Sequence, residues 1–435
     1  MSHEAKVQRI CDQLRARPPE RRVHLRKKAV SHQVPKAQRR GAGDGEIDVG
    51  DLTEILDIDV SARTCVAESG VTFVDLVAAT LRHGLVPFVV PELKTITVGG
   101  AVAGCSIESM SYRYGGFHDT CLEYEVVTGN GDVLTCGPGK QNELLFQMMH
   151  GTFGTLGILT KLKFRLTPAR PFVRVTYDKY PSLAEYQAAI ARHFEAEDVD
   201  FMDGIIHGPT EWVLSTGMFV DEAPYTNRYD WMKVYHRSTR ERREDYLRTP
   251  DYLFRYDRGV TNVHPRSWLG RLLLGKFVDS SRLLRIADWF HHLLPSESPP
   301  VTLDVFVPFS RVPDFLAWFD QRFHYYPLWC VPYKRVRDYE WLSGNFYQGL
   351  QDRLFLDLAI YGMPQRKGEN AYKEIEDALL RVGGVKTLIS HNFFSEEQFW
   401  TIWNKSNYQE IKAVTDPQNA FRDLYTKTHA QPGAA

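Results

Sequence analysis

Apolar and polar positions alternate along this chain with two periods, and the switches between them mark its elements. In residues 3–17 the residues Val7, Ile10, Cys11 and Leu14 share one stripe, the spacing of a helix, which Pro18-Pro19 ends. A short strand, "RVHLRK", follows. In "EIDVGDLTEILDIDVSARTCVAESGV" the segments either side of Asp59 alternate like a hairpin, and Glu68-Ser69-Gly70 closes it. "TFVDLVAATLRHG" returns to the helical period, with Thr72 as cap and Gly84 as stop. "LEYEVVTGNGDVLTC" reads as a hairpin tipped by Asn130-Gly131. "NELLFQMMHGTFGTLGILTKLKFRLTP" reads as a helix, a glycine-rich turn and a strand ended by Pro168.

Beyond Pro168 the texture changes. A helix and two strands are expected from "PSLAEYQAAIARHFEAEDVDFMDGIIHGPTEWVLSTGMFV". The charged stretch 227–259 shows no buried face. A helix is expected at "SRLLRIADWFHHLL", and a strand, helix and strand in "VTLDVFVPFSRVPDFLAWFDQRFHYYPLWCVPYK". "RLFLDLAIYG" reads as a strand and "ENAYKEIEDALLRVGG" as a helix stopped by glycine. Lys386 and His391 in "VKTLISHNFF" fall on a late strand, and "AQPGAA" is a frayed end. The pattern predicts an α+β chain: a first domain over 1–168, a second over 169–400, and a C-terminal helical segment over 401–435.

Composition narrows the classes. The 435 residues are 43% hydrophobic and 25% charged, close to globular averages, and the formal net charge of −1 gives no sign of a nucleic-acid binder. Six cysteines lie scattered without a CxxC pair or zinc spacing, which suits a reducing compartment. With no apolar leader and no membrane-length run, the expectation is a cytoplasmic protein. Between Arg15 and Arg40 nearly every charge is positive, Glu20 being the exception. That stretch offers peripheral contact with an anionic membrane or a cofactor phosphate, against the plainer reading of a solvated basic face.

The chemistry gathers in "TITVGGAVAGCSIESMSYRYGGFHDT". Neither the G-x-G-x-x-G nor the P-loop spacing is present, and no H-E-x-x-H or G-x-S-x-G occurs. Adjacent residues on a strand face opposite ways, which argues against a metal site or dyad at His118-Asp119. What is left at 97–109 is a glycine-rich turn whose N–H groups, with the hydroxyls of Thr97, Ser106 and Ser109, suit a pyrophosphate held without lysine or metal. The other reading is a tight interstrand loop whose glycines only permit close packing.

These same residues, followed by "HGTFGTLGILTKLKFRLTP", resemble the PCMH-type FAD-binding domain of the vanillyl-alcohol-oxidase flavoprotein superfamily. Within it, "G-x-x-I-E-S-x-S-x-x-Y-G" at 104–115, "DYLFR", "LDLAIYGMP" and the terminal "EEQFWTIWNKSNYQEIKAVTDPQNAFRDLYTK" look most like the delta(24)-sterol reductases and their plant diminuto-like relatives. The resemblance implies a two-subdomain FAD-binding domain, a substrate or cap domain and a C-terminal return toward the flavin. FAD bound non-covalently would rest on Thr97, Val98, Gly99, Gly100, Ala101, Val102, Ala103, Gly104, Cys105, Ser106, Ile107, Glu108 and Ser109. Tyr114, Gly115, Gly157 and Ile158 complete that set. The family's usual first glycine-rich loop has no counterpart, only Ser31-His32 echoing it, and no N-terminal membrane anchor is matched.

The implied activity is hydride transfer between flavin N5 and a small apolar, sterol- or isoprenoid-like substrate, with NADPH as electron donor. An alcohol or sugar oxidase of the same fold and a non-catalytic ligand-binding module are the alternatives. Alkene reduction needs a proton donor within hydrogen-bond reach. The candidates are His391 first, then Tyr361 and Asp203, with no metal. The aromatics of "FLAWFDQRFHYYPLWCVPY" offer walls for a greasy pocket, or an ordinary core.

Overall fold

The computed structural model describes residues 1–28, 44–230, 233–257, 300–390 and 392–429. The helix expected at "SRLLRIADWFHHLL", His391, Ser31-His32 and the terminal "AQPGAA" lie outside the described residues.

The opening helix, His3–Arg15, turns Val7, Ile10, Cys11 and Leu14 inward, and Ser2 caps it through Ala5 N. It packs with β1 (Val23–Arg26) and β2 (Gly45–Asp48), a parallel pair. The main sheet of the first half runs β3 (Ile55–Asp59), β4 (Thr64–Glu68), β8 (Ile158–Pro168), β6 (Cys121–Val127) and β7 (Val133–Cys136), with β5 (Leu85–Pro87) on the far end of β8. All of these pairings are antiparallel. The helix Phe73–Thr80 starts where Thr72 accepts from Asp75 N, and a 3-10 turn carries the chain to Gly84, whose φ of 68° stops it.

The second sheet is ordered β12-β9-β11-β10-β14-β15-β13-β16. Its strands are β9 (Phe172–Tyr180), β10 (Phe201–Gly208), β11 (Glu211–Val220), β12 (Glu244–Arg248), β13 (Val301–Pro308), β14 (Leu328–Lys334), β15 (Leu354–Met363) and β16 (Val385–Lys386). Side chains alternate between its faces. Met202, Ile206, Leu303, Val305, Cys330, Leu356 and Leu358 meet the helices Leu183–Ala196, Val312–Arg322 and Ala371–Val382. Phe201, Ile205, Phe306, Trp329, Val331, Tyr333, Phe355 and Ala359 face the core of the first half. By the same alternation Asp203, Asp304, Asp357 and Tyr361 stand on that inner face. Both faces are covered, so these strands carry near-continuous apolar runs, and each polar residue on the inner face stands out.

Three elements differ from the expectation. Strand β9 was hidden because "FVRVTYDKY" mixes charge into its outer positions while Val173, Val175 and Tyr177 are buried. The charged stretch does have a buried face. It forms a helix at Tyr235–Glu241, β12 and a helix at Thr249–Leu253, burying Tyr229, Tyr235, Leu247, Tyr252 and Tyr256. Tyrosine and arginine, counted as polar in the pattern, supply this core. The late strand is only the two residues of β16.

The C-terminal helices Glu396–Ile402, Lys405–Thr415 and Leu424–Thr428 bring the chain back to the first half. There Gly129 N donates to Thr415 O, Val23 N to Ala420 O, and Ala420 and Phe421 join the core under the opening helix. Among the described residues no helix is long and apolar enough to cross a membrane.

Candidate functional site

The segment 97–109 is a short helix rather than an open loop. Thr97 caps Val98–Ala103 by accepting from Gly100 N at 3.1 Å. The N–H groups of Val98 and Gly99 donate to Val71 O and Ser69 O, each at 2.9 Å. The donors of 98–100 are therefore used inside the protein, and the expected cradle of free N–H groups is corrected on this point. Gly99 answers a packing demand: a Cβ there would lie 2.7 Å from Ser69 Cβ and 2.9 Å from Ser69 O. Val98, Ala101 and Val102 point into the core.

Glu108 and Ser109 make contacts within the protein as well. Glu108 is buried and pairs with Arg255 Nη2 at 2.9 Å, and Ser109 donates its hydroxyl to the Glu108 carboxylate. Tyr114 stacks on Phe88 with centroids 4.3 Å apart. A Cβ on Gly157 would strike Val126 Cγ1 at 2.6 Å, and Ile158 is buried beside it on β8.

Gly104, Cys105 and Ile107 do reach a cleft. Its empty volume is about 680 Å³, and it opens between this turn and the inner face of the second sheet. Gly151 and Phe153 from the glycine-rich turn, Phe306, Tyr333 and Phe355 from the sheet, and Val385 to Leu388 line it. Tyr339, Trp341, Leu342, Phe346 and Trp403 close the remaining side. The lining is overwhelmingly apolar, and its polar groups are few and placed.

His118 is one of them. It and Asp119 sit on a 3-10 turn (Phe117–Thr120), not a strand, so adjacent side chains converge: His118 Nε2 lies 3.3 Å from Asp119 Oδ2. That corrects the argument that neighbours must face opposite ways. The two glycines before the turn make room for it. A Cβ on Gly115, at φ 77°, would meet Asp119 Oδ2 at 2.4 Å, and one on Gly116 would meet His118 Cε1 at 2.4 Å. Burial lowers the pKa of His118, so the imidazole is neutral. Lys386 also reaches the cleft, its Nζ held 2.6 Å from the buried Glu376 carboxylate.

The other sequence candidates do not line the cleft. Asp203 is locked: Arg255 Nη2 lies 3.0 Å away, and Tyr256 Oη and Trp329 Nε1 donate to it at 2.8 and 2.9 Å. All three contacts fall on Oδ2 and hold the carboxylate away from the cleft lining. Tyr361 donates to Asp304 at 2.6 Å, behind the lining. Tyr333, Tyr339, Trp341 and Trp403 were missed as individuals, although strict alternation in "LWCVPYK" places Trp329, Val331 and Tyr333 on one face.

Beside the cleft, cations crowd the turn that carries Phe153. Lys427 Nζ donates to Phe153 O at 2.6 Å and Lys412 Nζ to Thr155 O at 2.8 Å. Arg422 pairs with Asp44 and Lys412 with Asp416. Burial, then the charges of Lys27, Arg422 and Lys412, pull Lys427 down to about 8. A positive cluster that depresses its own lysine favours an anion. At the cleft, Trp341 Nε1, both nitrogens of His118 and Thr387 Oγ1 are buried without a hydrogen-bond partner in the structure. A ligand with a diphosphate at the cations and a flat, polar-edged ring in the cleft satisfies both sets, which is the donor inventory of FAD.

The fold and this site define a flavin-dependent oxidoreductase. Residues 3–137 match the family described as FAD binding domain, so the chain carries a PCMH-type FAD-binding domain and is an FAD-dependent enzyme. Over most of its length it is similar to the delta(24)-sterol reductases. It is 27% identical over 398 residues to the Homo sapiens delta(24)-sterol reductase, covering 86% of this chain and 76% of that one. To the Arabidopsis thaliana delta(24)-sterol reductase it is 24% identical over 491 aligned positions, covering 98% and 84%. A rice cytokinin dehydrogenase 10 is 31% identical over 153 residues, 34% of this chain and 28% of the relative.

Proposed function

We propose that this enzyme reduces a carbon–carbon double bond in an apolar, sterol- or isoprenoid-like substrate, with non-covalent FAD recharged by NADPH. The observation that carries the reading is the cleft itself. Trp341, Leu342, Phe346, Val385, Leu388 and Trp403 give it an apolar wall, suited to a hydrocarbon skeleton and unsuited to a polyol, whose hydroxyls would be buried without partners. The sterol-reductase relatives support the same class.

In this arrangement Lys27, Arg422 and Lys427 would hold the diphosphate, and Gly104, Cys105, Ile107, Gly151 and Phe153 would border the ring. FAD, when bound, supplies hydride transfer. The chain's own part is to exclude water with its aromatic wall, orient the double bond and supply a proton. Burial pushes the Cys105 thiol well above its ordinary range, so no thiolate is available to attach the flavin. The protein works in the cytoplasm, and its basic stretch at 15–40 supports peripheral contact with membranes where such substrates dissolve.

An anaerobic visible spectrum before and after NADPH tests the reading. The expected result is oxidised-flavin bands that bleach and then return on adding a Δ24-unsaturated sterol or a prenyl alkene. Bands that persist with NADPH but bleach with an alcohol or sugar overturn it in favour of an oxidase of the same fold.

A further inference from the structure

The floor of the cleft carries a hydrogen-bonded series that packing alone does not demand. Tyr333 from β14 and Tyr339 from the loop beyond it both line the cleft and hydrogen-bond to each other through their hydroxyls. Tyr339 Oη donates to Asp119 Oδ2 at 3.0 Å, while Tyr333 Oη lies 3.5 Å from the same oxygen. Arg337 Nη2 stands 3.4 Å from the other carboxylate oxygen, and its side chain is 33% exposed. The order from the cleft inward is Tyr333, Tyr339, Asp119, with Arg337 linking the carboxylate to solvent.

Other buried phenols end singly, on a backbone carbonyl as Tyr112 does on Val199 and Tyr372 on Pro300, or on a carboxylate of their own half as Tyr256 does on Asp203. Here two phenols are joined in series and end on a carboxylate that belongs to the other half of the molecule. Phenylalanine would fill the same space without two hydroxyls to satisfy beside an apolar cleft. The hydroxyls are useful where a proton must be delivered.

We infer that Tyr333 is the catalytic proton donor for alkene reduction, with Tyr339, Asp119 and Arg337 as the positioning residues that stabilise and reload it. The inference rests on the reading of the cleft as an alkene-reducing site. The π bond is lost and two C–H bonds form: one carbon takes a hydride from reduced FAD, the other takes the proton of Tyr333 Oη. The two electrons that the alkene gains would come from the reduced FAD, which NADPH recharges. To stabilise the tyrosinate left on Tyr333, the Tyr339 hydroxyl turns from Asp119 to donate to it, while Arg337 stays with the Asp119 carboxylate, until one proton enters from solvent. Burial pushes both phenols well above their ordinary value, so the donor holds its proton throughout the working pH range. His118, neutral and on the same floor, is a poorer acid.

The test uses FAD-loaded enzyme, reduced anaerobically with dithionite and mixed in a stopped-flow cell with a Δ24-unsaturated sterol carried by cyclodextrin. Wild type is expected to reoxidise, to slow in D₂O and to give product with two solvent deuteriums on carbon, one as the donated proton and one through the exchangeable N–H of the reduced flavin. Tyr333→Phe should slow reoxidation by the alkene about 100-fold or more, with flavin content and reoxidation by oxygen unchanged. Tyr339→Phe should slow it less and alter the solvent isotope effect. Tyr333→Phe that reoxidises with the alkene at the wild-type rate overturns the relay alone. Wild type that no alkene reoxidises overturns the alkene reading and the relay together.

Discussion

Replacing Arg255 with methionine should expose what joins the two halves. The guanidinium is fully buried between Glu108 of the FAD-binding half and Asp203 of β10, at 2.9 and 3.0 Å. The rings of Tyr252, Tyr256 and Tyr235 surround it at 4.2, 4.8 and 5.3 Å. Methionine keeps most of the volume but leaves two buried carboxyls without their cation, a loss of about 3–5 kcal/mol. With an unfolding entropy of about 2.1 cal/mol/K per residue over 435 residues, Tm falls by roughly 3–6 °C if the halves unfold together. The pH dependence carries a sign. Desolvation raises the folded pKa of Glu108, against the lowering effect of Arg255. A raised carboxyl costs stability above its folded pKa and regains it as pH falls through that value. Without Arg255 the pKa rises further, so the deficit of the variant should be largest at pH 8 and shrink toward pH 5.5. Urea unfolding at saturating FAD reads both. The triple variant R255M/E108Q/D203N, which removes the unpaired charges, should recover most of the loss. A deficit below about 1 kcal/mol, or one equal at both pH values, would refute the reasoning, since an uncompensated buried charge must cost more than a surface substitution.

At the cation cluster, Lys427→Met should weaken FAD about tenfold or more, read by flavin fluorescence titration. Because the free enzyme holds Lys427 near 8 and a bound diphosphate favours its charged form, wild-type FAD affinity should fall as pH rises past about 8; an affinity flat from pH 7 to 10 would contradict it. Gly99→Ala forces a Cβ against Ser69 and should cost about 1–3 kcal/mol, visible as lost thermal stability of the apo and FAD-loaded forms alike. His391→Ala tests the first sequence candidate: with Tyr333 as the donor, turnover and the yellow colour should stay near wild type, and lost turnover with FAD retained would return His391 to the chemistry.

Much of the fold was legible because its elements punctuate themselves. Thr72 and Gly84 bracket their helix, Asn130-Gly131 turns its hairpin, and Gly383, at φ 68°, ends the helix Ala371–Val382. Where the reading failed, the physical cause is one of two. In 227–259 the core is made of tyrosines around an arginine, and periodicity weighted by hydropathy does not register such a core. At 97–109 the glycines suit a ligand cradle or close packing equally from sequence; Gly99 brings the chain against Ser69, while Gly104 at the far end meets the cleft.

The cleft was less legible than the fold because no single segment builds it. Its floor needs Asp119, folded back over Gly115 and Gly116, to meet Tyr339 from a loop more than two hundred residues later. Most of its cations come from the C-terminal return, which follows the second sheet in the chain and reaches back to the turn at Phe153. A site assembled this way depends on the relative placement of the two halves, and Arg255 fixes that placement from behind, on the same inner face of the sheet that presents Tyr333 to the cleft. Loosening Arg255 should therefore reach Tyr333 through the shared sheet, making reoxidation by an alkene more sensitive to Arg255→Met than reoxidation by oxygen, which needs no proton positioned at carbon.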